Sequence, residues 1–219
     1  MGKHREVEVK LKVKDAARLV RSLKELPATQ NARVHEQDTL FDTADRFFQK
    51  CEAILRLRTC TRAAGHGTRG TRIRGAGNAT QGILTFKGPV EGANPTGDRY
   101  KEREEIEFRV KNVVQFAGVL RRIGMRPWFR YEKYRTTYTS RRYPGLKFEL
   151  DETPIGLFLE LEGPKRQISR AAEALGYSRA DYITASYLEL YAAERSRSRS
   201  SRGNMVFRKK KTLNSELFA

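Results

Sequence analysis

The segment Glu6-Val7-Glu8-Val9-Lys10 places a charged residue at every second position, with valines between them. A β-strand turns residues i and i+2 to the same face, so this segment predicts a strand with one ionic and one apolar face. Like charges at that spacing lie roughly 7 Å apart and repel by about 0.6 kcal/mol even in water. A bound ion of opposite sign would offset this repulsion.

Five later segments continue the pattern along the chain. They are Arg56-Leu57-Arg58; Ile83-Leu84-Thr85-Phe86-Lys87; Arg103 with Glu105 and Glu107; Lys133-Tyr134-Arg135; and Glu149-Leu150-Asp151 leading on to Glu160-Leu161-Glu162. Same-sign neighbours recur among both the acids and the bases. Together these segments supply the two kinds of group that hold a metal-bound polyphosphate, carboxylates for the cation and basic side chains for the anion.

Composition favours an anionic partner. The chain has 219 residues, a formal net charge of +18 and 32% charged residues, which suits nucleotides, polyphosphate, RNA or acidic membrane surfaces. The two cysteines, Cys51 and Cys60, are not in a C-x-x-C arrangement, and three scattered histidines do not suggest a zinc site. No apolar run resembles a signal peptide or a membrane span, so we expect a cytoplasmic protein without a membrane partner.

The coarse pattern predicts about eight strands and four helices in residues 1–193. Predicted strands cover 5–13, 34–42, 53–61, 83–88, 100–110, 128–139, 145–151 and 157–162. Two of the predicted helices start after the N-caps Asp15 and Asn112. The other two cover roughly residues 165–175 and 180–193. Residues 62–82 are rich in glycine and arginine and predict a loop. Residues 194–219 are rich in Arg, Ser and Lys and predict a disordered basic tail.

An ordinary antiparallel sheet with one wet face would also alternate apolar and polar residues. Wet faces, however, usually mix uncharged polar residues with paired charges of both signs. The faces here are nearly all ionic. A sheet curled with these faces inward would form a polar tunnel with helices packed on its apolar outside, an α+β fold.

The order of the motifs resembles the CYTH, or triphosphate tunnel metalloenzyme, superfamily, and most of all its class IV adenylate cyclase branch; the superfamily also includes thiamine triphosphatases. Glu6-x-Glu8-x-Lys10 resembles the E-x-E-x-K signature, Arg56-x-Arg58 the R-x-R strand, and Leu84-Thr85-Phe86-Lys87-Gly88-Pro89 the L-T-[YF]-K-G-P strand. The resemblance covers residues 5–192. It implies an eight-stranded antiparallel barrel around a triphosphate and a divalent cation, Mg²⁺ or Mn²⁺.

The resemblance also implies site residues. Metal ligands would be Glu6, Glu8, Asp151, Glu160 and Glu162. Triphosphate contacts would come from Lys10, Arg56, Arg58, Lys87, Arg103, Lys133 and Arg135, with Lys10, Arg58, Lys87 and Arg135 as the catalytic group. Glu105, Glu107 and Glu149 would orient basic side chains instead. The reaction would be either ATP cyclisation or hydrolysis of a nucleoside, inorganic or thiamine triphosphate.

Several alternatives stay open on the sequence alone. A non-catalytic module that binds polyphosphate or RNA would use the same basic cluster. The tail is either a solvated end or an arm that contacts nucleic acid without sequence specificity. The oligomeric state is equally open, a dimer being one alternative.

Overall fold

A computed structural model describes residues 4–62, 81–90, 100–197 and 203–207. Within these residues eight strands close into a barrel in the order β1-β5-β4-β3-β2-β6-β7-β8, with every neighbouring pair antiparallel. The strands are β1 His4–Val13, β2 Ala28–Asp42, β3 Ile54–Arg62, β4 Gln81–Val90, β5 Lys101–Val110, β6 Arg126–Ser140, β7 Lys147–Thr153 and β8 Gly156–Glu162. The predicted eight-stranded antiparallel barrel is confirmed.

Five α-helices accompany these strands in the described ranges. They are α1 Ala16–Glu25, α2 Phe47–Lys50, α3 Val113–Arg122, α4 Lys165–Ala174 and α5 Tyr187–Arg197. Both predicted N-caps are confirmed, since the side chains of Asp15 and Asn112 accept hydrogen bonds from the backbone N–H groups of Arg18 and Gln115 at 2.9 and 3.0 Å. These bonds satisfy two donors that the first helical turns would otherwise leave unpaired. None of these helices is both long and apolar enough to traverse a lipid bilayer.

The apolar strand faces point outward and meet the helices. Val9, Leu11, Leu159 and Leu161 are fully buried and form one cluster with residues of α1 and α4, such as Ile168. Because the period of a strand is two, burying these positions on the outside turns the intervening ionic residues to the barrel interior. The alternation of apolar and ionic residues along each strand thus places the charged side chains inside the barrel.

The C-terminal part differs from the prediction. Helix α5 starts at Tyr187, not at 180, and it continues to Arg197 across the predicted boundary between 193 and 194. Gly203–Phe207, within the predicted disordered tail, lies against β6, and Met205 is fully buried there. Burial of the Met205 side chain and backbone pairing with the edge of β6 keep this segment ordered, although the residues around it are polar. Residues 63–80, most of the predicted glycine-rich loop, and 198–202 and 208–219 of the tail lie outside the described residues.

Candidate active site

The barrel interior is a cavity of about 510 Å³. Among the described residues, nine basic and eight acidic side chains line it. The bases are Lys10, Arg56, Arg58, Lys87, Lys101, Arg103, Lys133, Arg135 and Lys147; the acids are Glu6, Glu8, Glu36, Glu105, Glu107, Glu149, Glu160 and Glu162. So dense an enclosed set of charges is costly to bury unless the charges pair or a ligand binds them.

Eleven of the twelve residues predicted as phosphate contacts or metal ligands line this cavity. The twelfth, Asp151, is fully buried beside it. Its carboxylate accepts hydrogen bonds from Lys133 Nζ at 2.8 Å, Arg135 Nε at 2.7 Å and the Tyr187 hydroxyl at 2.7 Å. The geometry therefore favours Asp151 as a residue that holds basic side chains in place. The roles of the other eleven stay predictions.

Lys10 lies between two carboxylates on adjoining strands. Its Nζ is 3.1 Å from Glu8 Oε1 and 3.2 Å from Glu160 Oε1. Burial alone would raise the pKa of Glu160, but Lys10, Arg135 and Lys133 outweigh it and hold that pKa well below its ordinary value. Glu160 is therefore ionised at neutral pH and keeps the charge that a cation needs.

Two acids of β2 were not among the predicted site residues. Asp38 accepts a forked pair of hydrogen bonds from Arg58, at 2.8 Å from Nε and 3.1 Å from Nη2, while Arg58 Nη1 lies 2.9 Å from Glu36 Oε2. Such bidentate pairs fix a guanidinium in one orientation. The signal was present in the sequence, because Glu36-Gln37-Asp38 has the same every-second-residue spacing as the other ionic segments.

Lys101 and Lys147 are two further lining bases outside the prediction. Lys101 Nζ is 3.3 Å from Glu8 Oε1, and burial lowers the pKa of Lys101 to about 8. Lys147 Nζ is 2.7 Å from Glu162 Oε1. Lys101 lies on β5 two residues before Arg103, so the ionic face of that strand extends further than the predicted Arg103–Glu107 segment.

Arg103 is the one lining base without an ion pair among the described residues. Its side chain is buried, and neither Nε nor Nη1 has a hydrogen-bond partner. Glu6 lies opposite it in the strand register, but the Glu6 carboxylate is bonded to Lys87 Nζ at 2.5 Å. An unsatisfied buried guanidinium is costly, and an anion in the cavity would supply the missing acceptors.

The carboxylate oxygens of the cavity are suitable ligands for a divalent cation, but they do not form a complete coordination site by themselves. Each of the eight lining acids forms an ion pair with a base, and no group of three His, Cys, Asp or Glu in the described ranges converges as a metal site. Mg²⁺ is usually held by one or two carboxylates together with substrate phosphates. Glu8 and Glu162 lie directly opposite each other in the strand register, so two of the predicted metal ligands are neighbours. The residues fit a cation that arrives with a polyphosphate.

Charge stabilisation is the chemistry this site offers. The one serine lining the cavity, Ser186, donates its hydroxyl to Glu189 at 2.7 Å, and no histidine or cysteine is among the lining residues. Neither a Ser/His nor a Cys/His pair therefore lines the described cavity. Its basic groups can instead neutralise a chain of phosphates and stabilise charge that develops on it.

Comparison with known proteins is consistent with this geometry. The family model described as the CYTH domain matches residues 4–187. A protein of Methanocaldococcus jannaschii named "Putative adenylate cyclase MJ0240" is 26% identical over 196 residues, covering 84% of this chain and 97% of its own.

Two solved structures show the same fold. One, described as a "putative adenylate cyclase" from Vibrio parahaemolyticus, has a TM-score of 0.68 at 18% identity and covers 87% of this chain and 99% of its own. HpAC1 from Hippeastrum, a "putative adenylyl cyclase" described as having a dominant triphosphatase activity, has a TM-score of 0.58 at 18% identity and covers 87% and 95%. With its closed eight-stranded barrel and a family match over nearly the whole described region, the chain belongs to the CYTH domain family.

Proposed function

We propose that this protein is a divalent-metal-dependent enzyme that acts on a triphosphate bound inside the barrel. The observation that carries the proposal is Arg103, a buried guanidinium whose Nε and Nη1 have no hydrogen-bond partner, in a cavity lined by eight further basic side chains. A triphosphate has enough anionic oxygens to engage Arg103 and to replace the carboxylates now paired with its neighbours. The names of the archaeal relative and of HpAC1 support the same substrate class.

The basic residues would act by binding and orienting the phosphates. Lys10, Arg58, Lys133 and Arg135 have carboxylate partners that hold them in the cavity before substrate arrives. Because they are positioned in advance, little reorganisation is needed when charge develops on the phosphates during transfer. Asp38 and Asp151 would keep Arg58 and Arg135 aimed into the tunnel.

Glu6, Glu8, Glu160 and Glu162 would hold the metal together with phosphate oxygens. When bound, Mg²⁺ or Mn²⁺ supplies Lewis-acid neutralisation of phosphate charge. Lys10, placed between Glu8 and Glu160, keeps these two carboxylates apart and ionised. The proposed metal-binding acids and phosphate-binding bases are therefore in contact with each other, and both sets keep their charges.

Two reactions suit such a site. If water attacks the terminal phosphorus, the P–O bond to the diphosphate breaks and the products are a diphosphate and inorganic phosphate. If a ribose 3′-oxygen loses its proton to solvent and attacks the α-phosphorus, the bond from that phosphorus to the oxygen bridging it to the β-phosphorus breaks, and the products are a cyclic nucleotide and pyrophosphate. The name of the archaeal relative supports cyclisation, and the description of HpAC1 supports hydrolysis. Which phosphorus lies beside the catalytic bases decides between them.

Product analysis tests the proposal. The protein is incubated with ATP, GTP, tripolyphosphate and thiamine triphosphate, each with Mg²⁺ or Mn²⁺, and cyclic nucleotide, diphosphate, pyrophosphate and phosphate are separated. We expect metal-dependent product from at least one pairing, lost on addition of a chelator. Absence of every product with every pairing contradicts the enzyme.

A second candidate is a non-catalytic module that binds polyphosphate or RNA. It is favoured by one observation, the lack of three converging metal ligands in the described ranges. Such a module would bind tripolyphosphate equally well with and without Mg²⁺ and would turn nothing over. Binding measured by calorimetry in both conditions, beside the product analysis, separates the two candidates.

A further inference from the structure

The C-terminal segment Gly203–Phe207 lies along a part of β6 that β7 does not cover. Strand β7 pairs with β6 only over Tyr134–Thr139. Beyond that point Met205 forms a parallel bridge with Tyr131, its N–H donating to Arg130 O at 2.9 Å and its carbonyl accepting from Glu132 N at 3.0 Å. The segment thus pairs with a strand edge that would otherwise be left open in the barrel wall.

The side chains of this segment are not equivalent. Met205 is fully buried, in one cluster with Leu40, Phe129, Phe158 and Tyr187, whereas the next residue, Val206, is 43% exposed. Phe129 and Phe158 share the inward strand faces with Lys133 and Glu160, so this cluster adjoins the ionic cavity. Met205 therefore packs the C-terminal segment against the apolar cluster at the end of the tunnel.

Tyr187 is the member of this cluster that reaches the charged groups. It lines the cavity, and its hydroxyl donates to Asp151 Oδ2 at 2.7 Å. Its ring lies 5.4 Å from Lys10 Nζ and 5.0 Å from Lys133 Nζ, within the range of cation–π contacts. One aromatic side chain thus contacts the carboxylate and two ammonium groups at once.

Asp151 transmits these contacts to the phosphate-binding bases. The Oδ2 atom that accepts from Tyr187 also accepts from Lys133 at 2.8 Å, and Oδ1 accepts from Arg135 Nε at 2.7 Å. Arg135 Nη2 also donates to Oδ2, at 2.6 Å, so Tyr187 is the one donor to this carboxylate, among the described residues, that is not itself a predicted phosphate contact. Without the hydroxyl, the carboxylate loses the contact that fixes it independently of Lys133 and Arg135, and all three groups can shift together. Rates of group transfer are sensitive to displacements of about 1 Å, even when ground-state binding changes little.

We propose that Tyr187 and Met205 are positioning residues of the tunnel: Met205 holds Tyr187, and Tyr187 holds Asp151 with Lys133 and Arg135. The C-terminal segment is then a working part of the site, not an appended tail. This inference rests on the proposed function, because positioning matters only if the bases bind a triphosphate.

The test compares Tyr187→Phe, Met205→Asp and Met205→Leu with the matched control Val206→Asp, all in the full chain. Steady-state kinetics use the triphosphate that the wild type turns over, with rates corrected for the folded fraction. We expect kcat to fall about tenfold in Tyr187→Phe and Met205→Asp while KM changes less than about threefold. The reason is that the basic side chains keep their charge but are no longer held in position relative to the phosphates. Met205→Leu, which keeps an apolar side chain of similar size, and Val206→Asp should retain the wild-type kcat.

Amide hydrogen exchange at Met205 and Glu132 supplies a readout that a merely structural role would not move. If segment and site are coupled, saturating tripolyphosphate slows exchange of these two amides by at least about fivefold in the wild type, by reciprocity. Tyr187→Phe should lose that ligand effect while staying folded, so the test holds even if Met205→Asp does not fold.

Wild-type kcat in Tyr187→Phe, or ligand-independent exchange in a wild type that binds tripolyphosphate, overturns the inference alone. A wild type that neither binds nor turns over any triphosphate overturns the proposed function and the inference with it.

Discussion

Glu149 of β7 lies directly opposite Glu160 of β8, and the guanidinium of Arg135 contacts both carboxylates. Burial raises the pKa of Glu149 to about 7, against the opposing effect of Arg135. Burial acts on Glu160 too, but Lys10, Arg135 and Lys133 hold its pKa well below the ordinary value. The two facing acids therefore titrate far apart: Glu160 is ionised at neutral pH, whereas Glu149 becomes protonated as the pH falls below about 7.

This pair makes stability depend on pH. The unfolded Glu149 loses its proton near 4.5 and the folded one near 7, so the folded protein binds more protons between these values and stability falls as pH rises through this window. We expect Glu149→Gln, which is uncharged throughout, to reduce that fall. Thermal midpoints of both proteins between pH 4.5 and 8, without metal or phosphate, measure it. Burial also raises the pKa of Glu105 to about 7, so the comparison with the variant isolates Glu149. An equal fall in stability in Glu149→Gln and in the wild type would contradict the assignment.

Arg103 should show opposite effects on stability and binding. Replacing it with leucine removes an unsatisfied buried charge, so we expect the free energy of unfolding to rise by about 1–2 kcal/mol. The same change should weaken tripolyphosphate binding at least about tenfold, since a charge-assisted hydrogen bond contributes about 1.5–3 kcal/mol. Denaturant unfolding and calorimetry measure the two effects, with the exposed Arg122→Leu as control. Unchanged tripolyphosphate affinity would remove Arg103 from the site.

Asp38 should prove structurally costly to replace. Its side chain is completely buried and accepts both hydrogen bonds of the Arg58 fork. Asp38→Asn leaves Arg58 with one acceptor fewer and removes the buried counter-charge, so we expect a loss of about 3 kcal/mol of stability and a lower kcat/KM. The exposed Asp45→Asn is the matched control. If Asp38→Asn unfolds at the same denaturant concentration as the wild type, the fork does not stabilise the barrel.

Local patterns predicted most of the fold. The every-second-residue charges of Glu6–Lys10 and its counterparts predicted both the strands and their inward faces, because the period of a strand is a local property. Asp15 and Asn112 likewise predicted where α1 and α3 begin, since a cap acts within three residues.

Local sequence patterns could not predict contacts between residues that are distant in the chain. Nothing near Tyr187 in the chain indicates that its hydroxyl meets Asp151, 36 residues earlier. The docking of Met205 on β6 depends on the shortness of β7, which the sequence around Met205 does not encode. The four-residue helix α2 is too short for a periodic signal, and it is held by hydrogen bonds from Phe48 and Gln49 to Asp42.

The acids predicted to hold metal provide the most direct test. Glu8 and Glu160 both contact Lys10 inside the cavity, whereas Glu102 of β5 pairs with Arg5 and Lys165. Glu102 lies at an alternate position to the inward-facing Lys101 and Arg103, so Glu102→Gln is a matched control on the outer face.

The decisive measurement is metal-dependent triphosphate turnover by Glu160→Gln, beside the wild type and Glu102→Gln. The tunnel account predicts that the wild type and Glu102→Gln release product with Mg²⁺ or Mn²⁺, and that Glu160→Gln is folded but at least about a hundredfold slower. Full metal-dependent turnover by a folded Glu160→Gln would contradict it.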